Sequence, residues 1–245
     1  MCLGEEARGL SGHLMQVWDM KLTYYGHSCF AVELAGRTLL FDPFLTHNPL
    51  AAGVNINSLR ADFILISHGH EDHLADAISI AKRTGAMVVS NYEVATWLGR
   101  NGAPKVHPVN HGGSVSTDFG RIKYVNAIHS SMLPDGSYGG NPGGFVVESA
   151  EGNFYYSGDT ALTMDMKLIG ESTGLKFAVL CVGGNFTMDA ADAVKAAQFV
   201  NCNEIVGVHY DTFPPIKIDH DEARNQFQAA GKKLHLLAIG ASHQF

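Results

Sequence analysis

The chain has 245 residues, 46% of them hydrophobic, and a formal net charge of −7, which suits one large folded domain or two small ones. This charge argues against a general binder of nucleic acid or of an anionic membrane surface, because the overall field would repel both. No apolar run approaches the roughly 20 residues of a membrane-spanning helix, so no membrane span is expected.

The cysteines do not indicate disulfides. Cys2, Cys29, Cys181 and Cys202 are widely separated and form no CxxC pair, so neither a disulfide framework nor a cysteine zinc site is expected. The N-terminus also lacks the apolar core of a secretion signal. A reduced, cytoplasmic setting is therefore predicted.

Residues 1–19 show no sustained hydrophobic period, and the first strand pattern begins just after Met20. We predict that residues 1–19 are an N-terminal extension, that Met20 is the natural start, and that residues 20–245 form the functional domain. A helix that caps the fold is the alternative interpretation of residues 1–19.

Apolar runs between turn residues predict short strands, and runs with helical spacing predict helices. The predicted strands are 22–25, 30–34, 38–41, 63–66, 87–90, 105–108, 114–116, 122–126, 145–148, 153–156, 177–182, 204–208 and 234–239, and the predicted helices are 73–84, 92–100, 163–171, 189–200 and 219–230. Hairpins early in the chain and βα units later predict an α+β fold in which two mixed sheets lie between helix layers.

A cluster of histidines follows the apolar strand 63–66. The segment reads His68-Gly-His70-Glu-Asp72-His73. His68 and His70 lie two residues apart, so both leave the same face of an extended segment, and Asp72 and His73 fall where a helix should begin. Imidazole and carboxylate are ligands for zinc and similar cations. These groups would crowd one ion, so two ions are predicted.

Further candidate ligands follow other predicted strands directly. Taken singly, each would more often be an ordinary loop or helix-capping residue. Strand ends at one rim of a sheet can nevertheless meet in space although they are far apart in sequence. We therefore predict that these residues join the histidine cluster around two metals: Asp42, His129, Asp159 and His209.

The order of the candidate ligands resembles the five-motif pattern of the metallo-β-lactamase superfamily, whose fold is an αββα sandwich. In this chain the motif HxHxDH comes first and is followed by His129, Asp159 and His209. Two further segments resemble one branch of that superfamily more closely, the UPF0173 metal-dependent hydrolases. They are Tyr24-Tyr-Gly-His-Ser-Cys-Phe30 and His209-Tyr-Asp-Thr-Phe-Pro-Pro-Ile216. The UPF0173 hydrolases are relatives of the ascorbate phosphate lactonase and of N-acyl phosphatidylethanolamine phospholipase D. The resemblance spans essentially all of residues 20–245.

The resemblance implies a role for each motif residue. His68, His70 and His129 would hold the first metal, and Asp72, His73 and His209 the second. Asp159 would bridge the two ions, and Asp42 would support a ligand from outside the coordination shell. His27 would line the pocket as a proton donor or make a structural hydrogen bond. The remaining histidines His107, His111, His220 and His235 match no ligand motif and are expected at the surface or in packing.

Differences between this sequence and other branches of the superfamily argue against the activities of those branches. Asp159 stands where true β-lactamases carry a cysteine, and His70 replaces the glutamate of flavodiiron relatives. The chain leaves no room for the inserted domain of the nucleolytic relatives or the helical domain of glyoxalase II. Antibiotic hydrolysis, redox iron chemistry and nucleolysis are therefore not expected.

The predicted function is that of a dinuclear metal-dependent hydrolase that uses a metal-bridging hydroxide on a small ester, lactone or phosphoester. Asp72 and Asp159 would orient the nucleophile, and the glycine-rich loop 136–144 and segment 46–60 would form walls of the pocket. Zinc is the first expectation, with manganese or iron as alternatives.

The sequence leaves two alternative functions open. A phosphodiesterase for nucleotide or phospholipid would need cations near the site, such as Arg60, Arg121 or Lys217. A non-catalytic metal-binding module is the remaining alternative, and an exposed apolar rim would favour a homo-oligomer.

Overall fold

The computed structural model describes residues 20–245. The predicted extension, residues 1–19, lies outside these residues. Two seven-stranded sheets carry the fold, which confirms the predicted sandwich of two mixed sheets. Within residues 20–245, no helix combines the length and the apolar character needed to cross a membrane.

The first sheet has an antiparallel part and a parallel part. Its strands are β1 (Lys21–Gly26), β2 (Cys29–Leu34), β3 (Arg37–Phe41), β4 (Phe63–Leu65), β5 (Met87–Asn91), β6 (Val106–Val109) and β14 (Ser242–Gln244). They lie in the order β14-β1-β2-β3-β4-β5-β6. The pairs from β14 to β3 are antiparallel, and those from β3 to β6 are parallel.

The second sheet repeats this plan. Its strands are β7 (Ser114–Ser116), β8 (Gly120–Asn126), β9 (Gly143–Ser149), β10 (Gly152–Tyr156), β11 (Phe177–Cys181), β12 (Glu204–Val208) and β13 (Lys233–His235). Their order is β13-β12-β11-β10-β9-β8-β7. Strands β10 to β13 are parallel, and β7 to β10 are antiparallel.

Helices cover the outer faces of the sheets. They are α1 (Glu71–Leu74), α2 (Ala77–Thr84), α3 (Tyr92–Arg100), α4 (Asp165–Ser172), α5 (Ala190–Phe199) and α6 (His220–Ala229). Side chains of α2 and α3 share a core with β4 and β5, and α5 and α6 contact β11 and β13. Each sheet therefore has one face against the other sheet and one against helices.

Alternation along the strands explains this layering. In β3, Leu39 and Phe41 enter the core between the sheets, whereas Leu40 enters the core under the helices. In the next strand and just beyond it, Leu65 faces the other sheet, and Ile64 and Ile66 face the helices. A strand that is buried on both faces needs apolar side chains at every position, which is why these segments read as continuous apolar runs.

Two predicted elements were wrong in detail. The helix predicted at 73–84 is broken at Asp76, whose carboxylate accepts hydrogen bonds from the amides of Leu45 and Thr46 at 2.6 and 2.9 Å. The strand predicted at 234–239 ends at His235, and the chain then crosses to the other sheet and continues as β14. Gly240 donates to Tyr24 carbonyl within this crossing.

Candidate metal centre

The predicted ligands come from the ends of strands in both sheets. His68 and His70 follow β4, and Asp72 and His73 lie in α1. His129, Asp159 and His209 follow β8, β10 and β12. The two sheets therefore present their strand ends to one another at a single edge of the sandwich, where the structure brings these side chains together.

The first group of donors is His68, His70 and His129, whose ring nitrogens all lie within 4.8 Å of one another. His68 Nε2 is 2.9 Å from His70 Nδ1. The hydroxyl of Ser67 is 2.9 Å from His68 Nδ1 and donates to Asp42, so it is free to accept the Nδ1 proton. That arrangement leaves the lone pair of His68 Nε2 facing the other histidines, as a metal ligand requires.

The second group is Asp72, His73, His209 and His27, with donor atoms again within 4.8 Å of one another. Asp72 Oδ2 lies 3.1 Å from His27 Nε2 and 4.0 Å from His73 Nε2. His27 and His209 are also joined through the backbone, because the His209 amide donates to the His27 carbonyl at 2.9 Å. This bond ties the β1–β2 turn to the end of β12.

Asp159 lies between the two groups. Its Oδ2 atom is 2.9 Å from His209 Nε2, 3.2 Å from His73 Nε2 and 3.7 Å from His129 Nε2. A carboxylate in contact with histidines of both groups is in the position that a bridging ligand needs.

Buried Asp42 holds His73 in one tautomer. Asp42 Oδ2 accepts hydrogen bonds from His73 Nδ1 at 2.8 Å, from the Tyr156 hydroxyl at 2.6 Å and from the Ser67 hydroxyl at 2.6 Å. With its proton on Nδ1, the neutral His73 ring would direct its Nε2 lone pair to a metal ion beside Asp159. A carboxylate–histidine pair of this kind orients a metal ligand and raises its basicity.

The electrostatics of the site favour a cation. Burial would lower the pKa of His73, but Asp159, Asp42 and Asp72 outweigh burial and raise it well above its usual value. Burial would raise the pKa of Asp159, and the neighbouring His209 and His73 reverse this and lower it. Asp159 is thus ionised in a nearly dry environment, which attracts a cation.

Two buried polar atoms of the site fit a bound metal. His73 Nε2 and Asp159 Oδ1 are buried and have no hydrogen-bond partner among residues 20–245. Buried polar groups are nearly always hydrogen-bonded unless an ion or water occupies the gap. Nitrogen and carboxylate donors in this number suit zinc, manganese or iron. The residues therefore fit one or more divalent ions.

The chain is similar to known proteins of one family. Residues 21–209 match the family model of the beta-lactamase superfamily domain. UPF0173 metal-dependent hydrolases of Flavobacterium johnsoniae and Methylacidiphilum infernorum are each 53% identical over 223 residues, which are 91% of this chain and 99% of theirs. The structure of Igni18, a metallo hydrolase from Ignicoccus hospitalis, is 34% identical with a TM-score of 0.83, and covers 93% of this chain and 98% of its own.

The chain belongs to the UPF0173 metal-dependent hydrolases of the metallo-β-lactamase superfamily. It is accordingly a metal-dependent hydrolase with a histidine and aspartate cluster able to hold metal.

Three residues of this UPF0173 hydrolase site adopt left-handed backbone conformations although they are not glycine: His27 at φ 54°, Asp42 at φ 39° and His209 at φ 58°. Each such residue costs roughly 1–3 kcal/mol and persists where the surrounding structure enforces it. The strain falls on residues that aim side chains into the site, which supports a functional reason for it.

Sequence reasoning missed the supports of the site. Tyr156, Ser67 and Thr212 are fully or largely buried and hydrogen-bond Asp42 or His27. Tyr156 and Ser67 do stand at or just after the ends of strands, near predicted ligands, which is a usable signal. Their partners, however, depend on which strands are neighbours.

One of the two predicted pocket walls, loop 136–144, is ordered by hydrogen bonds. In loop 136–144, Gly139 donates its amide to the Ser131 carbonyl at 3.0 Å, and its own carbonyl accepts from Asn91 at 2.8 Å. The Ser131 hydroxyl is 3.0 Å from the amide of Gly69, within the histidine cluster. This UPF0173 hydrolase therefore holds its glycine-rich loop directly against His68 and His70.

Proposed function

We propose that this protein is a dinuclear hydrolase that cleaves a small ester, lactone or phosphoester. The observation that carries the proposal is the position of Asp159 Oδ2, within 2.9–3.7 Å of histidines from both donor groups. A site for one ion would not need a carboxylate between two complete sets of donors.

Residues of the first donor group, His68, His70 and His129, would hold one ion. Asp72, His73 and His209 would hold the other, and Asp159 would contact both. Two such ions acidify water and polarise an ester or phosphoester bond.

The carboxylates of the site would divide the remaining work. The Asp159 side chain is 3% exposed and fixed among histidines, so it is suited to hold its neighbours in place. The Asp72 side chain is 28% exposed, so solvent reaches it. Asp72 would therefore accept the proton that the attacking water loses, and it would orient that water towards the substrate.

His27 fits a positioning role better than the alternative of a proton donor. It is 1% exposed, and its ring nitrogens lie 3.0 Å from the Thr212 hydroxyl and 3.1 Å from Asp72 Oδ2. With both nitrogens engaged and almost no exposed surface, His27 has no free face for a substrate. It would hold Asp72 in the orientation that the second ion requires.

The surface beside His129 suits a substrate with an uncharged organic part. Ile128 and Met132 flank the segment that carries His129 and are 52% and 58% exposed. Tyr138, 65% exposed, pairs through its backbone with Met132. This apolar rim would contact the part of the substrate that does not react.

Two of the cations that a phosphodiesterase would need are placed elsewhere. Arg121 forms an ion pair with Glu148 at 2.6 Å and lies near the start of β8, whereas His129 follows its end. Arg60 lines a surface cavity of about 980 Å³ that includes none of the proposed ligands. These positions favour the small ester or lactone over a polyanionic substrate.

The experiment combines metal analysis with a substrate panel. His70→Ala should bind fewer metal ions per chain and lose at least about 100-fold in hydrolysis of lactones, thioesters or bis-p-nitrophenyl phosphate. His107→Ala, an exposed histidine on β6, is the matched control and should behave as the native protein. A His70→Ala variant with native metal content and activity would contradict the proposal.

A further inference from the structure

A second cluster of metal-binding side chains lies away from the proposed catalytic site. Donor atoms of Glu204, His235 and His243 all lie within 4.8 Å of one another. Glu204 begins β12, and His209 follows the end of the same strand. At about 3.3 Å per residue, this places the cluster about 16 Å from the hydrolytic site, at the opposite end of the sheet.

The cluster joins the two sheets. His235 ends β13, an edge strand of the second sheet, whereas His243 lies in β14, an edge strand of the first. His243 pairs with Leu22, which is buried in the core between the sheets. Directly opposite residues in a ladder point to the same face, so His243 points towards the second sheet and its His235.

Contacts within the cluster hold the three side chains in place. His235 Nε2 is 2.6 Å from Glu204 Oε2, and the rings of His235 and His243 are 4.3 Å apart between centroids. Phe245 packs against both rings, with its centroid 5.6 Å from that of His235 and 4.6 Å from that of His243. One other cation is close, because Lys233 Nζ lies 3.7 Å from Glu204 Oε2, and a bound ion would compete with it.

We propose that Glu204, His235 and His243 bind one divalent transition-metal ion, such as Zn²⁺, and that this ion fastens the two sheets together at their shared edge. Two imidazoles and a carboxylate are a common zinc ligand set, with water in the fourth position. The edge strands that it would join have three residues each. Such short strands have few ladder hydrogen bonds, so a cross-link between them stabilises the C-terminal part of the fold.

The alternative is a hydrogen-bonded Glu204–His235 pair with the His243 ring stacked on it and no ion. The two interpretations differ in zinc content. Full-length protein and its His243→Ala variant should be dialysed to equilibrium against the same Zn²⁺ solution and analysed for zinc per chain. We expect one zinc fewer per chain in His243→Ala, with unchanged hydrolytic activity. His107→Ala is the matched control and should keep the native zinc content.

Thermal unfolding tests the cross-link. Zinc at about 100 times its dissociation constant should raise the Tm of the native chain by about 5 °C more than that of His243→Ala. Glu204→Gln, which keeps the shape of the side chain and its packing, should lose the same increment. Equal zinc content in the native chain and in both variants would overturn the site. A lower zinc content without a difference in Tm would overturn the cross-link.

Discussion

Asp42 Oδ2 lies 2.8 Å from His73 Nδ1, and both side chains are fully inaccessible to solvent. This hydrogen bond connects the end of β3 with α1 and sets which nitrogen of His73 faces Asp159. Because Asp42 also accepts from Tyr156 and from the amide and hydroxyl of Ser67, one carboxylate orders residues from both sheets. The bond makes the shape of the metal centre depend on residues that would not touch the metal.

Asp42→Asn should weaken metal binding about 10–100-fold. An amide oxygen at the Oδ2 position can still accept the hydrogen bond from His73, but the NH₂ group then takes the Oδ1 position and faces the backbone amide of Ser67. An unpaired buried donor costs about 1–3 kcal/mol. Metal titration and chemical denaturation measure the two effects. Asp221→Asn, at an exposed position, is the control. Native metal affinity in Asp42→Asn would show that the orientation of His73 does not matter.

Tyr156→Phe should destabilise the protein by about 1.5–3 kcal/mol, because it removes a hydrogen bond to the buried Asp42 side chain without opening a cavity. The adjacent Tyr155 provides a matched control, since its buried hydroxyl has no partner among the described residues. Tyr155→Phe should therefore be neutral or slightly stabilising. Urea denaturation of both variants measures the difference, and equal losses of stability would contradict the assigned bond.

Gly158→Ala should disturb the metal centre more than an ordinary glycine substitution. A Cβ atom at Gly158, φ +61°, would lie 2.4 Å from the Gly143 carbonyl oxygen and 2.9 Å from Ser67 Cβ. Relief of these clashes must move the chain next to Asp159 and so weaken metal binding.

The control for Gly158→Ala is Gly136→Ala. Gly136 also has a positive φ, +82°, but nothing lies within 4 Å of its added Cβ. It should lose only the roughly 1 kcal/mol of backbone strain and keep native metal affinity. Metal titration and denaturation of both variants separate the effect of backbone strain from that of the clash. Equal effects of the two substitutions on metal binding would contradict the role given to the clash at Gly158.

Removal of the metal should lower the Tm by several degrees, because ions bind the folded state and not the unfolded chain. The Tm should return when Zn²⁺ is restored. The measurement is best made on His243→Ala, so that only the proposed catalytic site contributes. A chelated protein with an unchanged Tm would mean that the buried carboxylates and histidines do not need an ion.

The fold could be predicted from the sequence where local pattern determines the structure. Continuous apolar runs identified strands such as β4 and β11, because both faces of these strands are buried. The segment 234–239 was misread because all but one of its residues are apolar, with His235 the exception, and the pattern shows no period. The first residues of this segment end β13, and the remaining ones lead to the other sheet. That course depends on contacts with β1, which lies more than 200 residues earlier in the chain.

The candidate site could be predicted to a similar extent. Ligand chemistry at strand ends identified His68, His129 and His209, since only the residue type and its place after a strand were needed. The hydrogen bonds of Asp42 to Tyr156 and Ser67 required knowledge of which strand ends meet. A prediction of the cluster of Glu204, His235 and His243 would also have needed knowledge that the chain crosses between the sheets after His235. Sequence analysis therefore expected His235 at the surface or in packing.

The central claim is that two ions are bound between the sheet edges with Asp159 between them. Anomalous diffraction from zinc-loaded crystals, measured on both sides of the zinc absorption edge, tests it most directly. We expect one anomalous peak beside His68, His70 and His129 and a second beside Asp72, His73 and His209, with Asp159 in contact with both. A single peak in this region, or peaks without contact to Asp159, would contradict the dinuclear site.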